Sequence, residues 1–297
     1  MHCKSLFIIA VTIAVMACGC TSATAPEADS TAATRTVTDD YNRTVQVPTH
    51  PRRIVSTSPA VTEILFAIGA DSLLVGRTDF CVYPPEAQRI TSIGGISNLN
   101  VENILALSPD LVISGSMIPK KSAMQLDKMG IPAVHVIEKQ RFDGLYDNIR
   151  AIGALAGHAA KADSLATALQ RIMDSLRRDS VALPVSAYYV VGYGNTGNFT
   201  ACGNTFIDDI ITLAGGRNIA HDLQGWSYSL EALLNADPDY IVIRREDSAS
   251  FCRTAPYSSL TAVRRGRVIA IESGIIDLQV PRNIDAVLLL RQRFSAP

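Results

Sequence analysis

A residue spacing supports chemistry only where its neighbours supply the rest of the site. Gly192-Tyr193-Gly194-Asn195-Thr196-Gly197 has the G-x-G-x-x-G spacing that lets a backbone approach a pyrophosphate. A dinucleotide site also needs that loop to open a helix, with an acidic residue about 20 positions on for the ribose. Asn198 to Gly203 reads instead as loop or hairpin, so the spacing is incidental. His2, His50, His135, His158 and His221 are scattered, without an H-x-x-x-H or C-x-x-C partner, and predict no metal site. His158, beside Gly157 at a helix junction, reads as a capping residue. No G-x-S-x-G elbow presents a serine nucleophile, and no catalytic residue is assigned.

The remaining candidates bind rather than react. Aromatic residues are only 6% of the chain. Phe80, Tyr83, Tyr193, Phe199 and Trp226 nevertheless fall in segments predicted near the C-terminal ends of strands, where α/β sheets bind ligands. Such a set suits a large planar or apolar ligand. Two acidic residues also stand out. Val101 to Asp110 and Leu230 to Asp239 share Glu, Leu, Pro and Asp at a constant offset of 129 positions, which pairs Glu102 with Glu231.

These residues need a scaffold, and the patterning supplies a mostly parallel α/β one. Ile54 to Thr57, Leu73 to Thr78, Leu111 to Ser114 and Ala133 to Ile137 read as short strands, with a helix from Pro59 to Gly69 among the segments between them. The rhythm restarts with strands at Ser186 to Gly192, Tyr240 to Arg244 and Arg267 to Ile271, and helices at Thr205 to Ala214 and Leu230 to Ala236. Two similar α/β lobes follow. Between them, Leu145 to Leu155 marks one helix, and Ala159 to Arg178 a second of about 30 Å, long enough to act as a rigid backbone joining the lobes.

Lys4, the apolar run Leu6 to Ala17 and the cysteine after it read as an export signal of the lipoprotein type. Cys18 is the expected lipid attachment point and Cys20 the second choice; a plain secretory signal with incidental cysteines is the alternative. The run is shorter than the roughly 20 residues a membrane span needs. The expected organisation is signal 1–17, flexible tether 18–38, N-terminal lobe 39–141, helical connector 142–180 and C-terminal lobe 181–297. A net charge of −1 and 47% hydrophobic residues describe a globular body with no nucleic-acid surface, and a monomer is expected. Cys81, Cys202 and Cys252 permit one disulfide and leave at least one thiol unpaired.

Ile54 to Ala60 with Glu63, Asp79 to Ala87, and Asn100-Val101-Glu102-Asn103-Ile104 resemble the class III solute-binding family of ABC importers, its vitamin B12 binders above all. The resemblance runs from about Arg52 to Pro297. It implies two lobes joined by one backbone helix, a ligand in the cleft between them, and a periplasmic protein held to the inner membrane by its lipid. It further implies that one glutamate per lobe docks on arginines of a permease with its ATPase; these fall on Glu102 and Glu231. The ring-clamping aromatics fall on Phe80, Phe199 and, with a one-residue offset, Trp226. The chain departs from the B12 binders at Ile96, where they carry tryptophan, and around Gly274 and Leu278, where their polar ligand contacts are not reproduced. The resemblance makes cobalamin the expected ligand despite these departures, with no resident cofactor and no catalytic role. A ferric siderophore or haem is the alternative within the class, and an exported enzyme the alternative outside it. An anionic siderophore would want clustered cations, whereas Arg77, Arg244 and Arg282 are scattered.

Overall fold

Thr34–Thr38 and Thr44–Pro48 alternate apolar and polar residues around a turn, and they pair antiparallel as β1 and β2. Val45 and Val47 enter the core and Val37 packs against it. The turn is closed by Asp39, which accepts hydrogen bonds from the Tyr41 and Arg43 amides and from the Arg43 guanidinium. This corrects the expected organisation: the expected tether runs through Thr38, but its last five residues form a strand, because they pair with β2 and Val37 packs against the core. The structure, a computed structural model, describes residues 33–96, 100–115, 120–178 and 185–295. The signal segment and the tether up to Ala32, with Cys18 and Cys20, lie outside the described residues, as does the expected boundary at 180/181.

The first lobe continues with β3 (Ile54–Ser56), α1 (Pro59–Ala67), β4 (Leu74–Arg77), α2 (Val101–Ala106), β5 (Leu111–Ser114), α3 (Lys120–Lys128) and β6 (Ala133–His135). Two helices follow, α4 (Gly144–Leu155) and the 20-residue α5 (Ala159–Arg178). The second lobe holds β7 (Ser186–Val190), α6 (Phe206–Leu213), β8 (Arg217–Asn218), α7 (Leu230–Ala236), β9 (Tyr240–Arg244), α8 (Arg245–Arg253), α9 (Thr261–Arg264), β10 (Val268–Ile271) and α10 (Asn283–Phe294).

Both four-stranded sheets are parallel, ordered β4-β3-β5-β6 and β10-β9-β7-β8. Counted within its own lobe, each has its second strand outside its first, then its third and fourth. The two lobes therefore share one topology, as the repeat predicts.

Each sheet alternates its side chains between two cores, as the period of two requires. Ile54, Leu111, Ile113 and Val134 of the first sheet, with Ala187, Tyr189, Val242, Ile269 and Ile271 of the second, enter one continuous apolar cluster that also takes residues from α4 and α5. The opposite faces form separate cores, with Val55, Val112 and Ala133 in one and Tyr188, Val190, Ile241 and Ile243 in the other. A shared core of close-packed side chains resists wide opening of the lobes. Ala162, Ala166, Leu169 and Met173 line the buried stripe of α5. Its near end is tied down by His158, whose Nδ1 lies 3.3 Å from the Ile68 carbonyl oxygen.

Candidate ligand cleft and docking surface

The lobes meet at the segments that follow the C-terminal ends of their strands. Gln279, after β10, is fully buried. Its Oε1 accepts from the Lys139 amide at 2.9 Å and from Asn148 Nδ2 at 3.2 Å. Its Nε2 donates to the Lys139 and Arg141 carbonyls at 3.2 and 2.9 Å. One glutamine thus zips the exit of β6 to the exit of β10. Beside the seam lies a hollow of about 60 Å³ lined by Thr57, Ser58, Pro59, Ile96, Gly115, Glu138 and Leu278. A larger hollow of about 280 Å³ lies between β1, β6 and α4, and none of the five candidate aromatics lines it.

The loops leaving β4, β7 and β8 carry the exposed aromatics. Phe80 is 59% exposed and Tyr83 38%, with Val82 exposed between them. In the second lobe Phe199 is 36% exposed and Trp226 46%, with Leu223 exposed nearby. Phe199 bridges Gly192 on one side and Ser227 on the other, and the Thr200 amide donates to the Trp226 carbonyl at 2.9 Å. The segments carrying Phe199 and Trp226 are therefore neighbouring strands of one small antiparallel ribbon. The glycine-rich segment does not open an α-helix: Gly192 pairs back on Phe199, with only a single 3-10 turn, Gly194–Thr196, between them.

Tyr193 sits differently from the other four. Its ring stands edge-on to Phe251 and Tyr257 at centroid distances of 5.1 and 5.6 Å, packed against the core of its own lobe. The Tyr257 hydroxyl accepts from the Gly194 amide at 2.9 Å and donates to Asn198 Oδ1 at 2.6 Å, which pins both ends of the loop. Val82 and Leu223 add exposed apolar surface beside these aromatics, and in the sequence only their proximity to Phe80, Tyr83 and Trp226 marks them.

The three arginines noted from the sequence are engaged, although the buried Nε of Arg244 has no hydrogen-bond partner among the described residues. Arg77 donates to the Thr78, Ala87 and Gln88 carbonyls at 2.9, 3.1 and 3.2 Å. Arg244 lies 2.9 Å from Asp247 and donates to the Val191 carbonyl at 3.0 Å. Arg282 is held by Glu63 and Glu272. Burial pushes the Glu63 carboxyl up more than Arg282 pulls it down. Burial likewise raises the Asp277 carboxyl against the hydrogen bond it accepts from Tyr189 and the charge of Arg244. Cys81, Cys202 and Cys252 are all free thiols, so the disulfide that the sequence permitted is not formed.

The repeat reads out as matched geometry. Asn100 caps α2 by accepting from the Asn103 amide at 3.0 Å, and Ser229 caps α7 by accepting from the Ala232 amide at 3.0 Å. Both caps satisfy donors that a helix start leaves open. Ile104 and Leu233 are fully buried one turn on. Ser108 and Asp237 take left-handed backbone at φ 44° and 35° to leave their helices. Asp110 then accepts from the Arg52 and Arg53 amides, and Asp239 from the Ser186 amide and hydroxyl. Glu102 and Glu231 occupy the same first-turn position, both exposed and without an ion pair among the described residues.

The periplasmic binding protein family model matches residues 54–274. The uncharacterised ABC transporter substrate-binding lipoprotein YvrC of Bacillus subtilis is 28% identical, over 92% of this chain and 91% of its own length. A cobalamin-binding protein of Halobacterium salinarum is 29% identical over 86% of this chain and 73% of its own. Among solved structures, the periplasmic haem-binding protein RhuT of Roseiflexus superposes with a TM-score of 0.72 at 26% identity, covering 82% of this chain and 97% of that one.

Proposed function

This chain belongs to the periplasmic binding protein family, and from that premise we propose that it captures a corrinoid of the cobalamin type between its lobes and delivers it to an ABC permease. It is the substrate-binding component of an ABC transporter in the class that handles cobalamin, haem or siderophores. In this proposal cobalamin is the ligand, Cys18 carries a lipid anchor, and Glu102 and Glu231 meet arginines on the permease. The name of the Bacillus relative supports the anchor.

One observation carries the choice of ligand: exposed aromatic and aliphatic side chains stand on loops of both lobes while the cations around them are already engaged. A large, mostly uncharged ring system gains from apolar contact and stacking there. Carboxylate-rich ligands would instead need free Arg or Lys to replace lost hydration. Haem is the second reading, favoured by the fold of the haem-binding structure and disfavoured by that engaged charge. Docking through paired glutamates supplies orientation through bidentate Arg contacts, and two linked contacts gain from effective concentration. Calorimetric titration of the purified protein with cyanocobalamin, haem and a ferric hydroxamate siderophore tests the reading. Saturable one-to-one heat with cyanocobalamin alone is expected; saturation by haem or the siderophore in its place overturns the corrinoid choice.

A further inference from the structure

Arg282 stands just before α10 in the second lobe and reaches into the first. Its Nε and Nη2 each donate at 2.9 Å to one carboxylate oxygen of Glu63, and Nη1 donates to Glu272 at 3.3 Å. The Arg282 and Glu63 side chains are only 13% and 5% exposed. The guanidinium carbon lies 3.4 Å from the centroid of the Tyr83 ring, a stacked cation–π contact. Gly274 leaves room for this arrangement, since a β-carbon there would come within 3.0 Å of Arg282 Nη2. Tyr83, Arg282 and Glu63 therefore form one column across the lobe boundary, with the aromatic end partly exposed.

Stability is a weak reason for such a column, because a buried ion pair often does no better than apolar residues of the same volume. Orientation is a stronger one. A planar fork gripped at two oxygens has a fixed plane, and the ring stacked on that plane loses its rotational freedom before any ligand arrives. Binding then does not have to order the side chain.

We propose that Glu63 and Arg282 are positioning residues for ligand capture, holding Tyr83 as a preformed aromatic platform that spans both lobes. The proposal rests on the cleft reading above. A simple clasp between the lobes would use the same ion pair, but it would act on binding whether or not Tyr83 were present.

Arg282→Met, Tyr83→Ala and the double variant separate these roles, with cyanocobalamin and haem titrated in parallel against each. Arg282→Met is expected to weaken binding of the accepted probe by about tenfold in the parent and by less than about twofold in the Tyr83→Ala background. Equal losses in both backgrounds overturn the platform and leave a clasp. Should Arg282→Met not fold, Glu63→Gln replaces it, keeping the side-chain shape while removing the charge, with the same dependence on Tyr83 expected. A ligand-free readout runs beside these: tetranitromethane nitration of Tyr83, followed by peptide mapping, should speed up several-fold when the guanidinium no longer covers the ring. An unchanged rate overturns the positioning role. If the parent protein binds neither probe, the cleft reading fails, and the nitration result still decides the platform.

Discussion

The two lobes differ where the ligand would sit and agree where a partner would. Their agreement is close: caps at Asn100 and Ser229, buried anchors at Ile104 and Leu233, left-handed exits at Ser108 and Asp237, and strand-gripping carboxylates at Asp110 and Asp239 recur in register. Their cleft loops share little. The first lobe presents Phe80, Val82 and Tyr83 on a loop braced by Arg77 and Arg282. The second presents Phe199 and Trp226 on an antiparallel ribbon pinned by Tyr257. Repetition suits contacts with a symmetric permease dimer, whereas a ligand with two unlike faces needs two unlike loops.

The largest effect should come from attacking the part that agrees. Glu102→Arg with Glu231→Arg is expected to abolish uptake into vesicles holding the cognate permease, while ligand affinity stays within about twofold and each single reversal costs less. Normal uptake by the double variant would mean that these exposed glutamates serve only the helix dipole, worth about 0.3–1 kcal/mol each.

Next in size is the buried pair. Ile104→Ala and Leu233→Ala should each lower stability by about 2–5 kcal/mol in urea denaturation. Similar losses sharpen the equivalence of the lobes; a loss confined to one lobe breaks it.

Within the part that differs, Trp226→Ala should weaken ligand binding by about ten- to a hundredfold with a stability change under about 1 kcal/mol. Tyr193→Ala should do the reverse, lowering stability by about 1–3 kcal/mol through its lost contacts with Phe251 and Tyr257. Paired melting curves and titrations check both; a Trp226 variant that melts early but binds normally would place that ring in the packing.

The contrast between lobes and loops also governs what the sequence reveals. β5, β9, α5 and α7 match the patterning end to end, because local periodicity and punctuation determine them. The β1–β2 hairpin was hidden by its Thr-rich composition, although Val37, Val45 and Val47 carried the alternation. The paired glutamates were legible because a repeat is a sequence property. The Glu63–Arg282 pair was not, since the two residues, each noted separately in the sequence, stand 219 residues apart and nothing local links them. Tyr193 looked equivalent to Phe199 for the same reason: only the fold decides which ring packs inward.

The smallest expected effect is acidic. Burial alone would raise the Asp239 carboxyl, but hydrogen bonds from the Ser186 amide and hydroxyl and the charges of Arg267 and Arg217 hold it below the ordinary 3.8. The unfolded chain then binds the proton more readily, so this contribution is present above about pH 4 and fades as pH falls through the lowered value. Asp239→Asn should flatten that part of the stability profile, measured by thermal melts between pH 2 and 5; an unaltered profile removes the assignment.

The most direct test uses the single tryptophan of the chain. Because Trp226 is the only indole, its emission reports one loop of the second lobe. Titration of the mature protein with cyanocobalamin should quench it saturably at one equivalent, in step with the calorimetric heat. Saturable heat without quenching would place the corrinoid away from that loop and contradict the cleft.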